Sequence, residues 1–184
     1  MAAILGDMSE PVDEICRRAS AAPDGGEVVP ANYNCPGQVV ISGEVSGVEA
    51  AMALCKAAGA KRAMRLNVSG AFHSPLMRPA REGLERAITA AQYATPTVPV
   101  YANVTADVVT DAATAQRLCL EQLTAPVRWT ELVERLAAAH PDALFVELGP
   151  GTVLAGLVKK IAPSVATTAC GTAADVEQLL AKVT

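Results

Sequence analysis

Apolar and polar positions change period along the chain, and each change marks an element. Ala2 to Gly6 is a short apolar run that predicts a strand. Ser9 offers an N-cap, Pro11 follows, and an amphipathic helix is predicted to about Ala21, stopped by Pro23 to Gly26. Val28 to Tyr33 and Gln38 to Ser42 read as two strands joined through Cys35-Pro36-Gly37, a hairpin. A second helix runs from Ser46 to Gly59, and Lys61 to Val68 alternates as a fourth strand. Strand, helix, strand, strand, helix, strand is the order of a ferredoxin-like split unit, with both helices on one face of a four-stranded antiparallel sheet. This subdomain is predicted over residues 1–68.

Beyond it, over residues 69–184, the pattern predicts a helix from Pro75 to Gln92 and a Pro-bounded strand from Val98 to Val104. Helices follow at Ala112 to Leu123 and Trp129 to Ala139. A strand at Ala143 to Leu148, a Gly149-Pro150-Gly151 turn, a helix at Val153 to Ile161, a strand near Val165 to Ala169 and a helix from Ala173 complete the pattern. Alternation of this kind implies a parallel sheet covered by helices, and so an α/β class. Three short strands make a thin sheet, so further strands are expected upstream of Met1, and an exposed apolar edge should promote association.

Composition narrows the function. With 51% apolar and 18% charged residues the chain reads as a folded globular protein. A net charge of -4 gives no attraction to phosphate backbones, which argues against nucleic acid as a partner. No apolar stretch approaches the ~20 residues of a membrane span, and the N-terminus lacks the charge and length of an export signal, so neither membrane nor secretion is expected. The cysteines Cys16, Cys35, Cys55, Cys119 and Cys170 are widely spaced, with no CxxC or Cys/His cluster. They read as reduced thiols in a cytoplasmic protein, with no metal site.

Of the two histidines, His73 stands between a predicted strand and a predicted helix. Ser74-Pro75 is a strong helix start, and the positive end of a helix beside His73 favours a neutral imidazole able to accept a proton. That suits a general base, although a histidine at an element boundary is more often structural. A base needs a nucleophile, and the sequence contains no Gly-x-Ser-x-Gly elbow. The Gly149-Pro150-Gly151-Thr152 turn is read as a tight turn, with anion binding as its functional alternative. Lys61 and Arg62 form a small basic pair at a strand start. Asn32, Asn34 and Gln38 flank the hairpin turn, either as turn hydrogen-bonders or as readers of amide groups on a ligand arm.

Three stretches carry a resemblance: Pro30-Ala31-Asn32-Tyr33-Asn34-Cys35-Pro36-Gly37-Gln38, then Ala57-Ala58-Gly59-Ala60-Lys61-Arg62, then Asn67-Val68-Ser69-Gly70-Ala71-Phe72-His73-Ser74-Pro75. With Gln122-Leu123-Thr124-Ala125-Pro126-Val127-Arg128-Trp129 and Glu147-Leu148-Gly149-Pro150-Gly151, the chain resembles the bacterial malonyl-CoA:acyl carrier protein transacylases of fatty acid synthesis throughout its length. The resemblance implies a ferredoxin-like subdomain inserted into an α/β-hydrolase-like acyltransferase core. It implies transfer of malonyl from coenzyme A to a serine and then to the carrier's phosphopantetheine thiol. No cofactor is implied, because the coenzyme A thioester is a substrate.

By the same resemblance His73 is the catalytic base and Gln122 supplies the main-chain carbonyl that orients it in place of a carboxylate. Asn32, Asn34, Gln38 and Arg62 match positions near the coenzyme or carrier arm. Phe72 matches the malonyl-selective position, where a ring crowds a longer, methyl-bearing substrate. The family's Gly-His-Ser-Leu-Gly elbow, oxyanion-hole glutamine and carboxylate-binding arginine would lie upstream of Met1. The chain alone is therefore expected to be inactive, with the N-terminal segment of the same enzyme as a partner. The alternative is a non-catalytic fragment that binds acyl carrier protein or another partner.

Overall fold

The computed structural model describes residues 1–183, and its first sheet is built around β1 (Ala2–Leu5). Helix α1 (Val12–Ser20) follows, then the hairpin β2 (Val28–Cys35) and β3 (Gln38–Gly43), helix α2 (Val45–Ala57) and β4 (Arg62–Arg65). The four strands pair antiparallel in the order β2-β3-β1-β4. Ala2 and Ile4 of β1, Val28 of β2 and Ile41 of β3 share one core with Val12, Ile15, Cys16 and Ala19 of α1 and with Val48, Ala51 and Cys55 of α2. Each apolar side chain so buried contributes about 1.5–3 kcal/mol for the larger types.

Two glycines permit this packing. Gly37 follows Pro36 with φ 71°, the left-handed residue that a Pro-Gly turn requires. A Cβ on Gly47 would lie 2.1 Å from the carbonyl oxygen of Gly26, so only glycine lets α2 approach the entry to β2.

Several boundaries differ from the expectation. Ser9 does not cap α1: its hydroxyl and its N–H both donate to the carbonyl of Ala58, and Pro11 holds the N-cap position. The fourth strand ends at Arg65, not Val68: Arg65 pairs with Ala2, the Leu66 N–H still donates to Met1 O at 3.0 Å, and the Val68 N–H then turns back to Leu66 O at 3.0 Å.

The segment expected as one helix from Pro75 splits into a 3₁₀ helix over Pro75–Ala80 and helix α3 (Arg81–Ala90). Pro79 is the cause, since it has no N–H for an i−4 bond and its ring crowds the preceding turn.

The strand expected over Val98–Val104 shrinks to β5 (Tyr101–Ala102), which turns back on β6 (Asp107–Val108) as a separate antiparallel pair. Ala106 in that turn is left-handed, with φ 52°. The segment therefore contributes nothing to the expected parallel sheet. Helix α4 (Ala112–Glu121) is capped by Asp111, whose carboxylate accepts the Thr114 N–H, and α5 (Trp129–Ala139) follows.

The chain divides into two compact units, residues 1–132 and residues from Val133 onward. In the second, β7 (Leu144–Leu148) and β8 (Ala166–Cys170) pair in parallel, joined by α6 (Val153–Ile161) and followed by α7 (Ala173–Val183). This β-α-β crossover is the α/β alternation expected from the pattern, reduced to two strands.

Candidate active site

The loop after β4 carries the histidine. Ser74 is fully buried, and its hydroxyl donates to the carbonyl of Ala71 at 2.6 Å instead of capping the 3₁₀ helix. That bond closes the backbone over residues 71–74 and leaves His73 in the left-handed region with φ 58°. A non-glycine residue held there costs on the order of 1–3 kcal/mol and persists only where its surroundings over-determine it. The α-helix N-terminus expected beside His73 is not formed there, since the element after His73 is only a six-residue 3₁₀ segment.

Gln122 meets His73 from the C-terminal end of α4. Its carbonyl oxygen lies 2.9 Å from His73 Nδ1, across 49 residues of sequence. A carbonyl only accepts, so this contact assigns the proton to Nδ1 and leaves Nε2 with its lone pair. The Gln122 side chain closes its own loop, donating from Nε2 to the carbonyls of Ala125 at 2.8 Å and Pro126 at 3.4 Å. Nε2 is also 3.4 Å from His73 Nδ1, a contact that carries no hydrogen bond when Nδ1 is protonated.

The loop from Gln122 is tied to the first sheet. Val127 N–H donates to Ala31 O at 2.8 Å, Tyr33 N–H donates to Val127 O at 2.9 Å, and Thr130 Oγ1 donates to Tyr33 O at 3.0 Å. Asn32 and Val127 thus form an isolated parallel bridge. Phe72 is 41% exposed beside the histidine, its ring lying across Gly70.

The remaining expected residues are spread over the sheet. Gln38, Leu5 and Arg62 form one row across β3, β1 and β4, and Asn32 pairs with Val40 in β2 and β3. The alternate row, Val39, Ile4 and Ala63, faces the helices, so Asn32, Gln38 and Arg62 share the opposite face. Asn34 falls in a register shift between Tyr33 and Cys35 and has no ladder partner. Asn32 and Arg62 stand on the outermost strands of the sheet, which lie three spacings or about 14 Å apart, and in different rows. They share a face but do not converge on one point.

A cavity of about 380 Å³ is lined by Gln122 together with Tyr101, Asn103, Leu118 and Cys119. Asn103 Oδ1 is buried there without a hydrogen-bond partner. In the second unit the Gly149 N–H donates to Cys170 O at 3.1 Å and Glu147 Oε2 accepts the Ala155 N–H at 2.7 Å, so a carboxylate of the chain itself takes one N–H in the first turn of α6. Among the described residues no cluster of His, Cys, Asp or Glu could hold a metal ion, and no helix is long and apolar enough to cross a membrane.

Sequence reasoning did not single out Asp111, which starts the helix that ends at Gln122, or Arg128, which braces the loop after it. Arg128 lies within a recognisable motif, but its role depends on carbonyls more than twenty residues away.

Comparison with known proteins places this geometry among relatives. Residues 2–179 match the family described as acyl transferase domain. The malonyl CoA-acyl carrier protein transacylase of Bacillus subtilis (strain 168) is 47% identical over 161 residues, covering 88% of this chain and 50% of that protein. An acyl carrier protein S-malonyltransferase from Vibrio cholerae superposes with a TM-score of 0.87 at 40% identity, covering 97% of this chain and 57% of its own. A malonyl-transacylase solved in complex with its type II PKS acyl-carrier protein superposes with a TM-score of 0.90 at 38% identity, over 98% and 57%. The chain spans about half the length of the relatives it matches.

Proposed function

The chain belongs to the acyl transferase domain family, and on that premise we propose that it forms the histidine-bearing part of a transacylase moving malonyl from coenzyme A to acyl carrier protein. The observation that carries the reading is the 2.9 Å contact from His73 Nδ1 to the Gln122 carbonyl. It leaves Nε2 as the base. In the first half-reaction Nε2 takes the proton of a serine hydroxyl as the serine oxygen attacks the malonyl thioester carbonyl. The imidazolium returns that proton to the departing coenzyme A thiolate. In the second half the carrier's phosphopantetheine thiol gives its proton to Nε2, attacks the malonyl ester, and the serine oxygen leaves protonated.

The serine belongs, on this reading, to the half of the relatives that this chain does not span. A neutral carbonyl in place of a carboxylate orients the imidazole without fixing a second charge beside it. Phe72 walls the malonyl end against longer acyl groups. Asn32, Asn34, Gln38 and Arg62 contact the coenzyme or carrier arm, supported by the shared sheet face of Asn32, Gln38 and Arg62. The β1 to β4 layer is the ferredoxin-like subdomain, supported by its β-α-β-β-α-β order and its β2-β3-β1-β4 pairing; the rest is part of an α/β-hydrolase-like core. No cofactor is needed, and five free cysteines fit a reducing cytoplasm.

Intact mass after incubation with malonyl-CoA tests the reading. The chain alone should gain no malonyl. Joined to the serine-bearing half of a relative, it should carry one malonyl and pass it to acyl carrier protein, and His73→Ala should slow transfer by roughly 10²–10⁴-fold. Transfer unaffected by His73→Ala would sink the proposal.

A further inference from the structure

The Gln122 carbonyl can orient His73 only if the loop that follows it is held still, and one side chain is placed to hold it. Arg128 donates from Nε at 2.8 Å and from Nη2 at 2.5 Å to Glu131 Oε2, in the first turn of α5. From Nη1 it donates to the carbonyls of Val104 at 3.3 Å and Thr105 at 3.1 Å, and its own N–H donates to Asn103 O at 3.0 Å. Val104 and Thr105 immediately precede the left-handed Ala106, so the guanidinium satisfies the carbonyls of a strained turn. On the other side of the same segment Val127 is bonded in both directions to β2.

Residues 126–128 are therefore clamped between the first sheet and the β5–β6 turn. Arg128 is one residue from Val127 and two from Pro126, whose carbonyl lies 3.4 Å from Gln122 Nε2. A planar fork with several donors suits this task, whereas a lysine could satisfy only part of the set.

We infer that Arg128 is a positioning residue for His73: it fixes the 122–128 loop between β2 and the β5–β6 turn, and so aims the Gln122 carbonyl at Nδ1. The inference rests on the reading of His73 as the base, but its test does not depend on activity. With only two histidines in the chain, a long-range proton–nitrogen correlation spectrum of the imidazole rings resolves each one, and His140→Gln assigns them. The 184-residue chain should show His73 held in the Nδ1–H form. Arg128→Met, which keeps the stem and removes the donors, should lose that form as the dominant one, while Arg117→Met, which breaks a surface pair on α4, should not change it.

If Arg128→Met does not fold, Arg128→Lys decides in the same way through a partial loss. A folded Arg128 variant with an unchanged tautomer overturns the inference, as does loss of folding in both variants, which would mean a purely structural role. In a transacylase completed with the serine-bearing half, Arg128→Met should lower kcat on the order of 10²-fold with KM little changed, as expected of a misplaced catalytic group. A completed wild-type protein without transfer activity, but with the tautomer shift intact, would refute the proposed function and leave this inference standing.

Discussion

His73 Nδ1 and the main-chain carbonyl of Gln122 meet at 2.9 Å although they stand 49 positions apart in the sequence. Two local devices bring about that meeting. The buried Ser74 hydroxyl bends the 71–74 backbone until His73 is left-handed, and the Asp111 cap starts the helix whose C-terminal end is Gln122. Neither device takes part in the His73–Gln122 contact, yet each sets the position of one of its partners.

The backbone of His73 should be testable apart from its chemistry. A β-branched side chain tolerates φ near 58° poorly, whereas asparagine visits that region readily. His73→Val should therefore be less stable than His73→Asn by about 1–2 kcal/mol in urea unfolding. Equal midpoints would mean that the loop relaxes out of the left-handed conformation.

The cap of α4 should give a pH signature. Hydrogen bonds from the Thr114 N–H and from the Thr110 and Thr114 hydroxyls hold the Asp111 carboxyl below its ordinary value of 3.8. A lowered folded-state value means that the carboxylate stabilises the fold above the unfolded value and that this contribution fades as pH falls through the lowered one. Asp111→Ala should thus melt earlier than wild type at neutral pH, and the gap should close in strong acid. A gap that widens on acidification would contradict the assignment.

Thiol reactivity should separate the cysteines. Burial between α1 and α2 pushes the Cys16 thiol up to about 12 and the Cys55 thiol up to about 11, while Cys119 is exposed. The thiolate is the reactive form. Iodoacetamide at mildly alkaline pH should label Cys119 first and spare Cys16 and Cys55 until denaturant is added. Early labelling of Cys16 in the native chain would show that the α1–α2 layer opens.

The first core should respond steeply to truncation. Ile15 and Ile41 are fully buried where α1 meets the sheet. Each Ile→Ala change should cost about 2–5 kcal/mol, from lost transfer energy and the cavity left behind. A loss below about 1 kcal/mol at both sites, read by denaturant titration, would mean that the helix layer does not anchor the first sheet.

Much of this was legible in the sequence, because it depends on local periodicity and turn chemistry. The β-α-β-β-α-β order, the Pro36-Gly37 hairpin, the span of α5 over Trp129–Ala139 and of α6 over Val153–Ile161 follow from residues within a few positions of one another. The motif around His73 and the one opening at Gln122 were also visible as segments.

Tertiary structure decided the features that depend on distant partners. β4 gives way after Arg65 because the Val68 N–H turns back to Leu66 O; the Val98–Val104 segment fails as a sheet strand because its residues turn back on β6. Ser9 and Ser74 look like caps, but each hydroxyl found a carbonyl outside its helix. Arg128 acquires a role only when the carbonyls of Val104 and Thr105 are brought to it. Periodicity, turns and motif spacing are properties of the chain, and the sequence determined them by itself. Which donor meets which acceptor, and so which nitrogen of His73 is free to take a proton, is decided by closing loops tens of residues long, where the burial of a shared core selects among many locally acceptable partners.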